Sequence, residues 1–278
     1  MRRAPRAIAL FGLLALAACN TTEPLAVNRK ADPLPAKFAS IVVDGKTGQT
    51  LQQTAANERR YPASLTKMMT LYLAFEALNS GRIAKDTALP VSARAAGQAP
   101  SKLGLKAGQS IDADTAMRAL AVKSANDVAV VVAEAIGGSE EAFAAQMTAK
   151  ARELGMMATV FRNASGLPDP AQVTTARDMA VLGLRLRRDF PEHFSYFGQR
   201  SFTHNGRAVR GHNKALDMIP GANGIKTGYT KASGFNLVTS VEKNGRLLVG
   251  VVMGEDTAVV RDRRMTELMA QYMRPKGF

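Results

Sequence analysis

The chain carries the stretch Tyr61-Pro62-Ala63-Ser64-Leu65-Thr66-Lys67-Met68-Met69-Thr70-Leu71. Proline favours the first turn of a helix, because its missing N–H would be unpaired there, and the residues that follow are apolar on nearly every side. The stretch therefore predicts a buried helix with Ser64 in its first turn. Ser64 and Lys67 are three residues apart and share a helix face, so the hydroxyl and the amine are expected to meet.

This pair predicts an activated nucleophile. Serine is a poor nucleophile until a base takes its proton, and lysine acts as a base only when its amine is neutral. Burial and a second nearby cation would both lower the pKa of Lys67. The alternative is that Ser64 caps the helix while Lys67 reaches solvent, and the Ser-x-x-Lys spacing alone does not separate the two interpretations.

A second motif, Ser124-Ala125-Asn126, lies between two apolar helical runs at 115–122 and 128–136. This placement predicts a tight loop whose side chains project into a cleft. Ser124 is then expected to relay a proton, and Asn126 to hydrogen-bond a substrate amide. The simpler alternative is that Asn126 or Asp127 only caps the following helix, which is compatible with a catalytic role.

A third motif, Lys226-Thr227-Gly228, lies in residues 224–230, which read as a short strand punctuated by glycines. Gly228 has no side chain, so a substrate backbone can approach the strand closely. Lys226 and Thr227 are expected to bind a carboxylate. Each of the three motifs occurs by chance in many chains, but together, in this order, they supply a nucleophile, a base, a relay and a carboxylate site.

With these motifs the chain resembles the serine D-alanyl-D-alanine carboxypeptidases, the low-molecular-weight penicillin-binding proteins. The resemblance runs from about Phe38 to the C terminus, and it departs from the common pattern at Ala125, where such enzymes usually have glycine. Beyond the motifs it rests on residues 61–63, 100–105, Gly108, 163–167, 175–179 and 224–237.

The resemblance implies a role for each matched residue. Ser64 would be the acylated nucleophile and Lys67 its base, with backbone N–H groups of Ser64 and Tyr229 as the oxyanion hole. The remaining catalytic and substrate-binding residues implied are Ser124, Asn126, Lys226, Thr227, Gly228 and Tyr229. No metal and no cofactor are expected.

The implied activity is removal of the terminal D-alanine from peptidoglycan stem peptides through an acyl-enzyme, with β-lactam antibiotics as inhibitors. D,D-endopeptidase activity on crosslinked peptides stays open, because both reactions attack a bond after D-alanine. The chain ends soon after its last predicted helix, so the extra C-terminal β-domain and amphipathic anchor of some relatives are not expected in it.

The N terminus predicts export. Residues 1–18 combine three arginines with a short apolar run at 7–16 and read as a signal peptide. The tetrad Leu16-Ala17-Ala18-Cys19 looks like the lipobox of bacterial lipoproteins, so Cys19 is expected to be lipidated. An ordinary signal peptide with a chance cysteine is the alternative.

Residues 19–37 are expected to form a lipidated, flexible tether, and residues 38–278 a penicillin-binding, transpeptidase-like domain. Asn20 after the cysteine resembles Gram-negative lipoproteins sent to the outer membrane, which predicts a periplasmic, lipid-anchored protein of the bacterial envelope. The formal net charge of +14 suits a polyanionic neighbourhood such as the wall or lipid headgroups. Nucleic acid is disfavoured as a partner, because an exported protein is separated from the nucleic acid of the cell and because no basic repeats or aromatic platforms occur in the sequence.

The order of elements predicts an α/β fold, in which an antiparallel sheet is covered by helices and joined to a helical lobe. A strand at 39–43 opens the domain, and residues 84–194 are mostly helical in pattern. Strands at 235–242 and 246–253 flank the hairpin signal Lys243-Asn244-Gly245, and a closing helix follows at 258–273. The resemblance implies the same β-lactamase/transpeptidase-like fold.

Four other functions fit the sequence less well. The three histidines lack the spacing of a zinc peptidase, and no Gly-x-Ser-x-Gly elbow of a Ser-His-Asp hydrolase occurs. A class A β-lactamase deacylates with a glutamate in a Glu-x-x-x-Asn segment, which no glutamate after Asn126 provides. A non-enzymatic wall-binding protein would not need Lys67.

Overall fold

The computed structural model describes residues 36–273 together with Met1. The chain falls into two units, Met1–Pro33 and Leu34–Phe278, and residues 36–273 belong to the second. The predicted signal peptide, Cys19 and nearly all of the predicted tether lie outside the described residues. In the part that is described, no helix is both long and apolar enough to span a bilayer.

A five-stranded antiparallel sheet forms the centre of the described residues, with strand order β2-β1-β9-β8-β7. Two small antiparallel pairs, β3 with β4 and β5 with β6, lie outside it. The strands are β1 Ala39–Asp44, β2 Thr50–Thr54, β3 Ala88–Pro90, β4 Ser110–Asp112, β5 Ser201–His204, β6 Arg207–Arg210, β7 Ala222–Thr230, β8 Gly234–Lys243 and β9 Arg246–Glu255.

Eight α-helices are present in the same residues. They are α1 Lys67–Asn79, α2 Ala93–Ala96, α3 Ala113–Arg118, α4 Asn126–Gly137, α5 Glu140–Glu153, α6 Ala176–Asp189, α7 Ala215–Met218 and α8 Ala258–Met273. Short 3₁₀ segments cover Ala63–Thr66 and Phe194–Gly198, and a π-helical segment covers Ala119–Lys123.

Helices cover both faces of the sheet, and two glycines permit their close approach. Helix α8 packs on one face, where a Cβ on Gly250 of β9 would lie 2.3 Å from Cε of Met269. Helix α6 packs on the other face, where a Cβ on Gly183 would lie 3.0 Å from Cγ1 of Val249, and α1 packs against α6. Helix α4 contacts α1, α2 and α5, and α3 packs on the π-helical segment, which itself contacts α1 and α4; together they form the helical lobe.

The predicted fold class is confirmed: the sheet is antiparallel, helices cover it, and a helical lobe stands beside it. The β8–β9 turn has positive φ at Asn244 and Gly245, 51° and 72°, as a two-residue hairpin of the favoured kind requires. Strand β2 and the two small strand pairs were not predicted. Strand β2 reads Thr-Leu-Gln-Gln-Thr and is half exposed at the sheet edge, so it shows little hydrophobic alternation.

Candidate active site

The nucleophile turn brings Ser64 against Lys67. The prediction of a helix start holds in outline, but residues 63–66 form a 3₁₀ turn and α1 begins at Lys67. Side chains three apart eclipse one another in a 3₁₀ turn, which aligns the pair more closely than an α-helix would. Nζ of Lys67 lies 3.3 Å from Oγ of Ser64.

Lys67 is completely buried, and its amine is held on two further sides. Nζ donates to Oδ1 of Asn126 at 2.7 Å and to the carbonyl oxygen of Ser165 at 2.5 Å. A neutral amine has two N–H bonds and one lone pair. With both N–H groups engaged, the lone pair is left for the Ser64 hydroxyl, which is the geometry that a general base needs.

The surroundings of Lys67 favour this neutral form. Burial lowers the pKa of Lys67 well below its ordinary value, and the charge of Lys226 lowers it further, while Asp127 acts in the opposite direction. The lysine therefore loses its proton more readily than a solvated lysine does. The alternative in which Lys67 reaches solvent does not describe the structure.

The second motif lies where the π-helical segment ends. Ser124 adopts a left-handed conformation with φ of 60°, which turns the chain sharply before α4. Its Oγ is buried and has no hydrogen-bond partner within the described residues, so the hydroxyl is available to a substrate. A strained backbone of this kind costs on the order of 1 kcal/mol and is found most often at functional sites.

Asn126 makes contacts that the sequence did not predict. Its Oδ1 accepts from Lys67, and Nδ2 donates to the carbonyl oxygen of Ala99 at 2.9 Å. The side chain does not cap α4, whose N-cap is Ala125. Asn126 therefore orients the lysine in this structure, and its contact with a substrate amide stays a prediction.

The third motif lies on edge strand β7, beside the nucleophile turn. A Cβ on Gly228 would lie 3.1 Å from the backbone nitrogens of Ser64 and Leu65, so glycine lets the strand and the turn pack together. Tyr229 follows, and its side chain is 54% exposed and stacks on Phe235 with ring centroids 4.1 Å apart. The two backbone segments of the expected oxyanion hole are thus neighbours.

Lys226 is only 2% exposed, and its Nζ donates to the carbonyl oxygen of Thr227 at 3.0 Å. Burial lowers the pKa of Lys226 to about 7, and the charge of Arg261 contributes. A lysine so deeply placed acts on a ligand chiefly through its electric field, while Thr227 itself lines the cleft.

Arg261 is a site residue that the sequence analysis missed. It lies on α8, is 5% exposed, and pairs with Asp262 through NH2 and Nε at 2.7 Å and 3.0 Å from Oδ1. The helix was predicted, but only its apolar positions were considered. Which polar residue of α8 faces the cleft depends on how α8 crosses the sheet, and no local motif reports that.

These elements enclose one cleft of about 740 Å³. It contains all the predicted catalytic and substrate-binding residues except Lys67 and Lys226, which lie behind its wall. The lining residues are Ser64, Pro100, Ser101, Lys102, Lys123, Ser124, Asn126, Gly166, Leu167, His212, Thr227, Gly228, Tyr229, Thr230, Phe235, Ala258 and Arg261.

Fold and cleft together define the class that contains the penicillin-binding proteins and β-lactamases. The sequence profile of one family in this class, D-alanyl-D-alanine carboxypeptidase, matches residues 26–257. The chain belongs to this family.

One relative is the D-alanyl-D-alanine carboxypeptidase DacF of Bacillus subtilis, which is 32% identical over 236 residues, 83% of this chain and 60% of DacF. The chain spans about three fifths of the length of the curated relatives it matches first.

Solved structures agree with this assignment. Penicillin-binding protein 5 of Haemophilus influenzae superposes with a TM-score of 0.81 at 32% identity, covering 87% of this chain and 72% of that one. A penicillin-binding protein of Listeria monocytogenes, solved in its cefotaxime-bound form, gives a TM-score of 0.78 at 26% identity over 87% of this chain and 100% of its own.

Proposed function

We propose that this protein is a serine carboxypeptidase that removes the terminal D-alanine from peptidoglycan stem peptides through an acyl-enzyme on Ser64. One observation carries the proposal. In a chain of this family, the buried Lys67 amine lies 3.3 Å from the Ser64 hydroxyl at the floor of the cleft. The names of the relatives support the same substrate class.

Acylation follows from the arrangement of the motifs. Neutral Lys67 accepts the hydroxyl proton as Oγ of Ser64 attacks the carbonyl carbon of the penultimate D-alanine. The backbone N–H groups of Ser64 and Tyr229 stabilise the resulting oxyanion. Protonated Lys67 returns that proton through the Ser124 hydroxyl to the leaving nitrogen, the C–N bond breaks, and D-alanine departs, leaving an ester on Oγ and a neutral Lys67.

Deacylation reverses these roles with water as the nucleophile. Lys67 takes a proton from the water as its oxygen attacks the ester carbonyl, and Oγ of Ser64 recovers a proton as the C–O bond breaks. Among the described residues that line the cleft, none carries a carboxylate that could act as a further base.

The terminal carboxylate of the substrate is bound at the β7 side of the cleft in this proposal. The Thr227 hydroxyl donates a hydrogen bond, Lys226 supplies positive potential from behind the wall, and Arg261 supplies a second cation. The neighbouring carboxylate Asp262 orients the Arg261 guanidinium. A peptide amide at the same place would be bound more weakly, because the charge would be absent.

β-Lactams would enter the same first step, since their ring carbonyl takes the place of the scissile amide. The cefotaxime-bound relative supports this proposal. The opened ring stays attached, so the leaving group can block the approach of water to the ester. This reasoning favours a peptidase inhibited by β-lactams over a β-lactamase.

Release of D-alanine from acetylated Lys-D-Ala-D-Ala tests the activity. We expect Ser64→Ala to abolish release, whereas Ser110→Ala, which changes an exposed serine of β4, keeps it. Crosslinked muropeptides separate the remaining alternative, because an endopeptidase splits dimers into monomers, whereas a carboxypeptidase removes one alanine. Release by a folded Ser64→Ala protein would contradict the proposal.

We further propose that residues 1–18 are removed on export and that Cys19 is lipidated. Residues 19–37 then tether a 38–278 domain to the envelope, on the periplasmic side and at the outer membrane of a Gram-negative cell. The tetrad at 16–19 and the presence of a single cysteine support this placement. The native protein should partition into detergent while Cys19→Ser does not, and a fully water-soluble native protein would contradict the anchor.

A further inference from the structure

One wall of the cleft is cationic and is not used in the chemistry described so far. Lys102, Lys123 and His212 all line the cavity that contains Ser64. Lys123 immediately precedes Ser124, and Lys102 lies on the loop that closes the same side. None of the three takes part in the proton transfers or in the carboxylate contact at Thr227 and Arg261.

Tertiary contacts bring the three residues to one place. The hydroxyl of Ser101 donates to the carbonyl oxygen of Lys123 at 3.1 Å, which fixes the loop of Lys102 on the end of the π-helical segment. Gly211 packs on the same segment, since a Cβ there would lie 3.2 Å from the carbonyl oxygen of Val122. His212, the next residue, is thereby set beside Lys123.

This cationic wall has no anionic partner among the described residues. Lys102 donates only to the carbonyl oxygen of Ala96, at 3.4 Å, and the described residues make no ion pair with Lys123. The lysine charges act on His212: burial lowers the pKa of His212, and Lys123 and Lys226 lower it further, which favours a neutral ring that can serve as an N–H donor beside the two lysine cations. Like charges gathered without a counter-ion raise the free energy of the empty cleft, and a bound anion relieves that cost.

We propose that Lys102, Lys123 and His212 form a second anion subsite, which binds a carboxylate of the substrate other than the terminal one at Thr227 and Arg261. The inference rests on the proposed function and restricts the class of peptide substrates. It predicts that the enzyme prefers peptides with an additional free carboxylate near the scissile bond over peptides in which that group is an amide.

Two parts of a peptide can supply the additional carboxylate. One is the acyl half, through a γ-linked D-glutamate before the lysine of a peptide ending in Lys-D-Ala-D-Ala. The other is the leaving half, through a terminal D-glutamate in place of the last D-alanine. Matched amides, D-isoglutamine in the first case and terminal D-glutamine in the second, remove the charge and keep the shape.

The experiment measures kcat/KM for both pairs and takes the ratio of acid to amide. We expect the wild type to favour the acid by about tenfold in one pair, the size of one charge-assisted hydrogen bond in a partly solvated site. Lys123→Gln should bring that ratio close to one. Lys106→Gln, which removes an exposed lysine outside the cleft lining, is the matched control and should keep the wild-type ratio.

Three results would overturn the subsite: a wild-type ratio near one in both pairs, equal effects of the two lysine variants on the ratio, or a Lys123→Gln loss that is the same for acid and amide. The last result would mean that Lys123 matters only for structure, and thermal unfolding of each variant shows whether folding is affected. Absence of cleavage of all four peptides would overturn the proposed function together with the subsite, whereas cleavage without preference overturns the subsite alone.

Discussion

Asp127, directly after the second motif, holds one wall of the cleft in place. Its carboxylate is completely buried and accepts backbone N–H bonds from Leu103, Gly104 and Leu105 at 2.9, 2.8 and 3.1 Å, and from Val128 at 2.9 Å. The preceding residues of the same loop line the cleft. The carboxylate therefore connects the start of α4 to the loop that shapes the substrate site.

Asp127→Asn tests this connection. Each carboxylate oxygen accepts from two of the four backbone N–H groups. Replacing either oxygen by an amide NH₂ therefore leaves two backbone N–H groups facing a group that cannot accept a hydrogen bond. At about 1–3 kcal/mol for each unsatisfied buried group, the free energy of unfolding should fall by roughly 3 kcal/mol. In a domain of this size that is a decrease in Tm of about 6–12 °C. Penicillin acylation should slow, because the loop loses its anchor.

The pH dependence supplies an independent readout. The charge of Asp127 raises the pKa of Lys67, so its removal should lower that pKa and move the acidic limb of the acylation profile to lower pH. Thermal unfolding and stopped-flow labelling with fluorescent penicillin measure the two effects. Asp169→Asn is the control, since Asp169 caps one exposed turn through Ala171. An unchanged Tm with an unchanged acylation rate would refute the reasoning.

Three further predictions concern the catalytic groups. Lys67→Arg should nearly abolish penicillin labelling, because a guanidinium stays charged and cannot act as a base; labelling at the wild-type rate would contradict this role. The kcat/KM for a D-Ala-D-Ala peptide, which reports on the free enzyme, should fall as pH rises through about 7. The reason is that the pKa of Lys226 is lowered to about 7 and its neutral amine attracts no carboxylate. A flat profile from pH 6 to 9 would contradict this role of Lys226. Penicillin turnover should be much slower than D-alanine release when both are measured on the same preparation, because no carboxylate in the described cleft lining supplies a second base. Rapid multiple turnover of penicillin without alanine release would indicate a β-lactamase.

The sequence predicted best those parts of the site whose residues are close together along the chain. Ser64 and Lys67 are three residues apart on one turn, so their contact follows from helical geometry alone. The β8–β9 hairpin and α8 were predicted for the same reason, since turn chemistry and periodicity are local. The resemblance supplied the link between the three motifs, which spacing does not contain.

What the sequence could not supply depends on packing between distant elements. Arg261 faces the cleft because of the way α8 crosses the sheet, and Asp127 was considered only as a helix cap, although it also binds a loop more than 20 residues earlier. The burial of Lys226, which is 2% exposed, also follows from packing between distant elements. A Lys226→Arg variant would place a larger, permanently charged group in this buried site near Arg261, so a large loss of activity is expected.

The cations of the cleft explain how one arrangement can serve both binding and catalysis. Lys226 lowers the pKa of Lys67, and Arg261 lowers that of Lys226, so each charge makes its neighbour easier to deprotonate. The same positive potential attracts an anionic peptide and, in the empty site, has no carboxylate in the described lining to neutralise it. When a substrate carboxylate enters, it stabilises the charged form of Lys226, while Lys67 stays held by Asn126 and Ser165 with its lone pair directed at Ser64. The repulsion between these cations destabilises the fold, and the same repulsion keeps Lys67 neutral as a base. A Lys226→Met variant should therefore unfold at a higher temperature than the native enzyme while acylating far more slowly.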